Sequence, residues 1–82
     1  MNADQEEESD EMEEVTLLEV DEDEDALELM DGRRLKVSPG DMPTAILWLP
    51  TATLEIRETG DGMFDLLVKL QGTAQVIRAR WG

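Results

Sequence analysis

Between Ala26 and Gly82 turn signals recur every eight to ten residues, and the stretches they bound alternate apolar and polar side chains with no helical period. Successive residues of a strand point to opposite faces, so this alternation buries one face of a β-sheet. "ALELM" turns Leu27 and Leu29 to one side, and "RRLKV" returns Leu35 and Val37 to it. Asp31-Gly32 between them reads as a two-residue primed turn, because such a turn needs positive φ and Gly accepts it without a Cβ clash. "SPGDMPTA" then breaks the ladder with two prolines and a glycine, and "ILWLP" reads as a short apolar strand closed by Pro50.

The last third fixes more. "TLEIRE" points Leu54 and Ile56 inward, "MFDLLVKL" points Phe64, Leu66, Val68 and Leu70 inward, and "TAQVIRARW" points Ile77, Ala79 and Trp81 inward. Taking Gln71-Gly72 as a two-residue hairpin loop sets Leu66 opposite Ile77 and Asp65 opposite Arg78. Taking Gly60-Asp61-Gly62 as a three-residue loop sets Ile56 opposite Leu66 and Arg57 opposite Asp65. These registers predict a row Arg57, Asp65, Arg78 on the outer face, with Lys69 and Arg80 beside it.

Eighty-two residues suffice for one domain with a small core. Short strands in so short a chain bury one face best by curling until the sheet closes, which also removes its edges. The expected fold is all-β: a small SH3-like barrel or curled antiparallel meander, with an OB-like barrel less favoured because there is no room for the helix many OB folds carry.

Charge divides the chain. Residues 1–25 hold fourteen acidic side chains and no basic one, residues 26–82 hold seven of each, and the whole net charge of −14 therefore sits in the first segment. We read residues 1–14 as a disordered acidic arm, 15–25 as a strand at an edge followed by an acidic linker, and 26–82 as the barrel domain. "VTLLEV" within the second segment reads either as that strand or as the apolar core of a partner-binding segment that folds when received.

The absence of Cys, His and Tyr removes thiol chemistry, the commonest general base and the usual imidazole metal ligand. The first ten residues lack the basic and apolar regions of a secretory signal, and no apolar run approaches a membrane span. The reading is a cytoplasmic protein.

Asp21, Asp23 and Asp25 have the spacing with which a calcium loop begins, but that loop needs Gly at its sixth position and Glu at its twelfth, where this chain has Ala26 and Gly32. No metal or cofactor is expected there. Carboxylate pairs for acid–base work could come from Asp41, Glu58, Asp61 and Asp65, three of them in turn or loop contexts, and an enzyme is not expected. Arg57, Lys69, Arg78 and Arg80 form a basic outer strip, but nucleic-acid-binding barrels add exposed stacking aromatics, and none is obvious here. Trp48, flanked by Leu47 and Leu49, is either core or the anchor of a partner-binding surface.

"DGRRLKVSPGDMPTAILWLP" resembles a pattern found in a group of small bacterial β-barrel proteins: a D-G turn, a strand ending in x-V, then P-G-D and W-x-P. It covers about a quarter of the chain. In that group an aromatic often stands where this chain has Leu35, and Gly-Asp often follows the W-x-P proline, where this chain has Thr51-Ala52. The resemblance implies a small β-barrel and no particular activity. The functional expectation is a non-enzymatic module for a protein partner. The alternative is a nucleic-acid-related role, through the basic strip or through the acidic arm imitating a phosphate backbone.

Overall fold

In the computed structural model, which describes residues 12–60 and 62–82, the alternating stretches are strands. They are β1 (Met12–Asp21), β2 (Ala26–Leu29), β3 (Arg34–Val37), β4 (Thr53–Glu58), β5 (Leu66–Leu70) and β6 (Val76–Trp81). A 3-10 turn (Pro39–Asp41) and one turn of helix, α1 (Met42–Ala45), lie between β3 and β4. Every paired neighbour is antiparallel, in the order β1-β2-β3-β6-β5-β4, and β4 pairs back to β1 to close a barrel. The expected all-β barrel is thus the observed fold. Pro39–Ala45 holds two short helical turns.

β1 is long because it serves two partners. Met12–Thr16 pair with β4, and Leu17–Asp21 pair with β2. The register steps from Leu17↔Leu29 to Glu19↔Glu28, so Leu18 is an extra residue whose bulge bends the strand around the barrel. The bulge also shifts the inward phase: Val15 and Leu17 are buried, Leu18 and Glu19 are exposed, and Val20 packs back against the core. Three corrections follow. The strand begins at Met12, inside the segment assigned to the arm; it has neighbours on both sides and is not an edge; and Glu22–Asp25 is the β1–β2 turn, not a linker. The remainder of the predicted arm, residues 1–11, lies outside the described residues.

Alternation fills the barrel with aliphatic side chains. Leu17, Leu27, Leu29, Leu35, Leu54, Leu66, Ile77, Val37 and Val68 are the largest that are completely buried, and no polar or charged residue is buried among the described residues. Phe64 is only half-buried in the loop before β5, and Trp81 is 36% exposed at the end of β6, so neither joins the core as expected.

Both hairpin registers differ from expectation by two residues. Leu66 faces Ala79 and Val68 faces Ile77, because four residues, Gln71 to Ala74, lie outside the close pairing of Leu70 with Gln75. Ile56 faces Val68 and Arg57 faces Leu67, because the β4–β5 loop is wider, closing where the Thr59 N–H donates to the Asp65 carbonyl at 2.7 Å. A two-residue slip leaves every side chain on its expected face. The β2–β3 loop has three residues, Met30 to Gly32, and not the expected two, with Gly32 at φ +96° as the left-handed third residue, and it places Leu27 opposite Leu35 as shared burial requires.

Candidate functional site

"ILWLP" is not a strand. Pro39 and Pro43 each stand at the start of a helical turn, where a missing N–H costs nothing. Helical bonding continues past α1, with Ile46 N–H to the Met42 carbonyl (2.9 Å) and Trp48 N–H to the Ala45 carbonyl (3.0 Å). Met42, Ala45 and Trp48, three residues apart, therefore share the buried side. Trp48 is 4% exposed, and its indole Nε1–H donates to Gln75 Oε1 at 2.7 Å. Of the two readings of Trp48, the partner-binding anchor is set aside: it is core, and it fixes the loop.

Its neighbours face the other way. Leu47 and Leu49 are 74% and 73% exposed, with Ile46 beside them at 39%. The loop that carries them is tied down on its far side, where Ala52 N–H donates to the Leu49 carbonyl (3.2 Å) and Thr51 N–H to the Leu17 carbonyl (2.8 Å), while Leu17 N–H returns to the Ala52 carbonyl (2.9 Å). Pro50 and Thr51 are thus the central residues of a type II turn, and Thr51 has φ +73°, a left-handed conformation that a β-branched residue rarely adopts. The same bonds place the turn beside the Leu18 bulge, which is 43% exposed. Sequence reasoning found Leu47 and Leu49 but missed Ile46, Leu18 and the strained Thr51. The three-residue spacing of Met42, Ala45 and Trp48 was the available signal.

The basic strip exists with a different composition. Arg57, Lys69, Arg78 and Arg80 are all exposed on the outer face of β4, β5 and β6. The expected row Arg57, Asp65, Arg78 does not form; the row across the sheet is Met12, Arg57, Leu67, Arg78. The next row is Glu14, Glu55, Lys69, Val76. A shallow groove of about 170 Å³ runs there, with Met12, Leu67 and Val76 as its apolar members, Arg57 and Lys69 as its cations and Glu55, opposite Lys69, as its acid. None of the four bases has an ion-pair partner within 4 Å among the described residues. Arg80 is placed apart, opposite Lys36 and sharing a hollow with Glu24 and Asp25.

The bases in and just before β3 contrast with these. Arg33 pairs with Glu13 (2.5 Å) and Asp31 (2.6 Å), Arg34 with Asp21 (2.8 Å) and Glu28, and Lys36 with Glu24 (3.8 Å). The Arg34 guanidinium holds the Asp21 carboxyl below its ordinary range, and Arg33 does the same to Asp31. Arg33 also lies 4.6 Å above the Trp81 ring and covers that aromatic.

In the acidic turn, Asp21 accepts from the Glu24 N–H (3.2 Å) and gives its other oxygen to Arg34, and Asp25 has φ +52°. No group of three metal-binding side chains converges among the described residues. Of the carboxylates considered for acid–base work, Asp41 accepts the Arg78 backbone N–H at 2.8 Å, Asp65 precedes β5, Glu58 ends β4, and Asp61 lies outside the described residues. No helix among the described residues is long and apolar enough to cross a membrane. No protein-family model, curated protein or solved structure matches the chain.

Proposed function

We infer that this protein is a non-enzymatic cytoplasmic interaction module whose docking surface is the outer side of the loop Ile46–Leu49. The observation that carries this reading is the opposition of side chains within that loop: Trp48 is buried and hydrogen-bonded while Leu47 and Leu49 on either side are about three-quarters exposed. Adjacent exposed aliphatics on a loop that is anchored by its own tryptophan bind with little loss of conformational freedom, and consecutive apolar exposure marks interaction sites more often than scattered exposure does. The partner is a protein offering an apolar groove or helix face.

The nucleic-acid alternative is weaker on this geometry. Cations without ion-pair partners among the described residues line the outer face, but Trp48 is buried, Trp81 lies under Arg33, and Phe64 is half-buried in the hollow beside Arg80, so none of the three aromatics stands open as a base-stacking platform.

Affinity capture from native extract, comparing the wild type with the double variant Leu47→Ser/Leu49→Ser and with Arg57→Gln/Arg78→Gln, tests the reading. Surface changes of this kind alter stability by only about 0.5 kcal/mol or less, so the unfolding midpoint should hold. Proteins retained by the wild type should be lost with the leucine variant and kept with the arginine variant. Loss with the arginine variant alone, or recovery of nucleic acid in place of protein, would overturn it.

A further inference from the structure

The ion pairs divide the acidic half of the chain in two. Acids from residue 13 onward, namely Glu13, Asp21, Glu24, Glu28 and Asp31, pair with the three bases Arg33, Arg34 and Lys36 in and just before β3. The cations of β4, β5 and β6 have no such partners among the described residues, and the eleven residues preceding Met12 carry six acidic side chains (Asp4, Glu6, Glu7, Glu8, Asp10 and Glu11) with no basic one. Where that segment joins the barrel is fixed. Met12 is directly opposite Arg57, in the same row as Leu67 and Arg78, so the chain reaches β1 at the edge of the unpaired cations. Of the acids near that face, Glu14 and Glu55 both approach the Gln71 side-chain amide (3.2 and 3.5 Å), one row away from the two arginines, and Asp41 accepts the Arg78 backbone N–H (2.8 Å).

We propose that residues 1–11 dock in cis across the outer face of β4, β5 and β6, over Arg57, Leu67 and Arg78 with Lys69 at the margin, and that they thereby occupy the surface an external polyanion would use. Reach is sufficient: eleven residues span up to roughly 36 Å when extended, and the three strand-to-strand steps from β1 to β6 cover about 14 Å. Tethering at Met12 gives the acidic groups an effective concentration in the millimolar range at the strip, so weak individual contacts suffice. Because the cations are exposed, the docking is electrostatic and is screened as the Debye length falls from about 30 Å at 0.01 M salt to about 3 Å at 1 M.

The chain has no cysteine, so Gln5→Cys in the full-length protein accepts a single nitroxide label. At low salt the label should erase the amide signals of Arg57, Leu67 and Arg78 while sparing Met30 and Lys36 on the other half of the barrel, and the lost signals should return at about 1 M salt. Arg57→Gln/Arg78→Gln should restore them at low salt. Losses that persist at high salt, or that survive the arginine substitutions, would show only the proximity of a tether and overturn the proposal. Losses of the same size in a mixture of isotope-labelled unspun and spin-labelled unenriched protein would place the segment on a second copy and overturn docking in cis. If the double variant fails to fold, removal of residues 1–11 replaces it: the Arg57 and Arg78 side-chain resonances should shift in low salt and not in high salt, and unmoved resonances would equally overturn the proposal.

Discussion

Thr51 is where a single residue works against the fold. Its φ of +73° is imposed by the turn between Leu49 and Ala52, which fixes the exposed leucines relative to β1. The second central position of a type II turn suits Gly, whereas a β-branched residue there stores roughly 1–3 kcal/mol of strain. Glycine also gives the unfolded chain more freedom, which offsets part of the gain. Thr51→Gly should therefore raise stability by about 1 kcal/mol, read as a higher urea midpoint at unchanged slope. A lowered midpoint would mean that the threonine makes a compensating interaction. The conformation was legible in outline, because Pro50 announces the turn; what hid it was the residue at 51, which argues locally for β structure and is overruled by two backbone bonds to Leu17. Trp48 was ambiguous for a related reason, since an apolar run flanked by prolines has no alternation to say which of its side chains goes inward.

Among the elements, β1 decides whether the barrel closes. Its bulge gives two adjacent leucines opposite fates: Leu17 is fully buried and Leu18 is 43% exposed. Leu17→Ala should cost about 2–5 kcal/mol as a core truncation, while Leu18→Ala should change stability by no more than about 0.5 kcal/mol. Thermal unfolding of the pair would check this, and equal losses would place the bulge elsewhere in the strand. Faces were legible throughout β2 to β6, because alternation is enforced by burial of whole leucines and valines. Loop lengths were not. Gly32, Gly60 and Gly72 mark where turns occur, but a hairpin that gains two residues keeps the same inward set, so burial cannot distinguish the registers. The Asp65–Arg78 pairing that the expected register produced gave it little support, since an exposed cross-strand ion pair contributes only about 0.2–1 kcal/mol. The bulge was hidden for the opposite reason: Val15, Leu17, Leu18 and Val20 fit either phase until β4 and β2 claim different halves of the strand.

At the scale of the whole molecule, the outer surface has an ion-paired half over β1, β2 and β3 and a half over β4, β5 and β6 whose cations have no ion-pair partner among the described residues, with the acidic segment joining at the seam. The paired half makes folding sensitive to acid in a direction that can be worked out. The Asp21 carboxyl is held below its ordinary value of 3.8 chiefly by the hydrogen bond from Arg34, against some opposing desolvation. A carboxyl whose pKa is depressed by folding contributes stability that is fully present above its unfolded pKa and is lost as pH falls through the folded one. Arg34→Gln removes the cause while leaving the rest of the charge distribution in place, so repulsion among the many other carboxylates largely cancels between the two proteins. The difference in unfolding midpoint between wild type and Arg34→Gln should therefore be constant from neutral pH down to about pH 5 and shrink progressively once pH passes below 3.8. Because the pair is solvent-exposed, added salt should reduce that difference at pH 7 as well. Urea titrations of both proteins across this range, at low and at moderate salt, give the measurement. A difference that persists undiminished well below pH 3 would show that Arg34 acts by packing over the β1–β2 hairpin and not through its bond to Asp21.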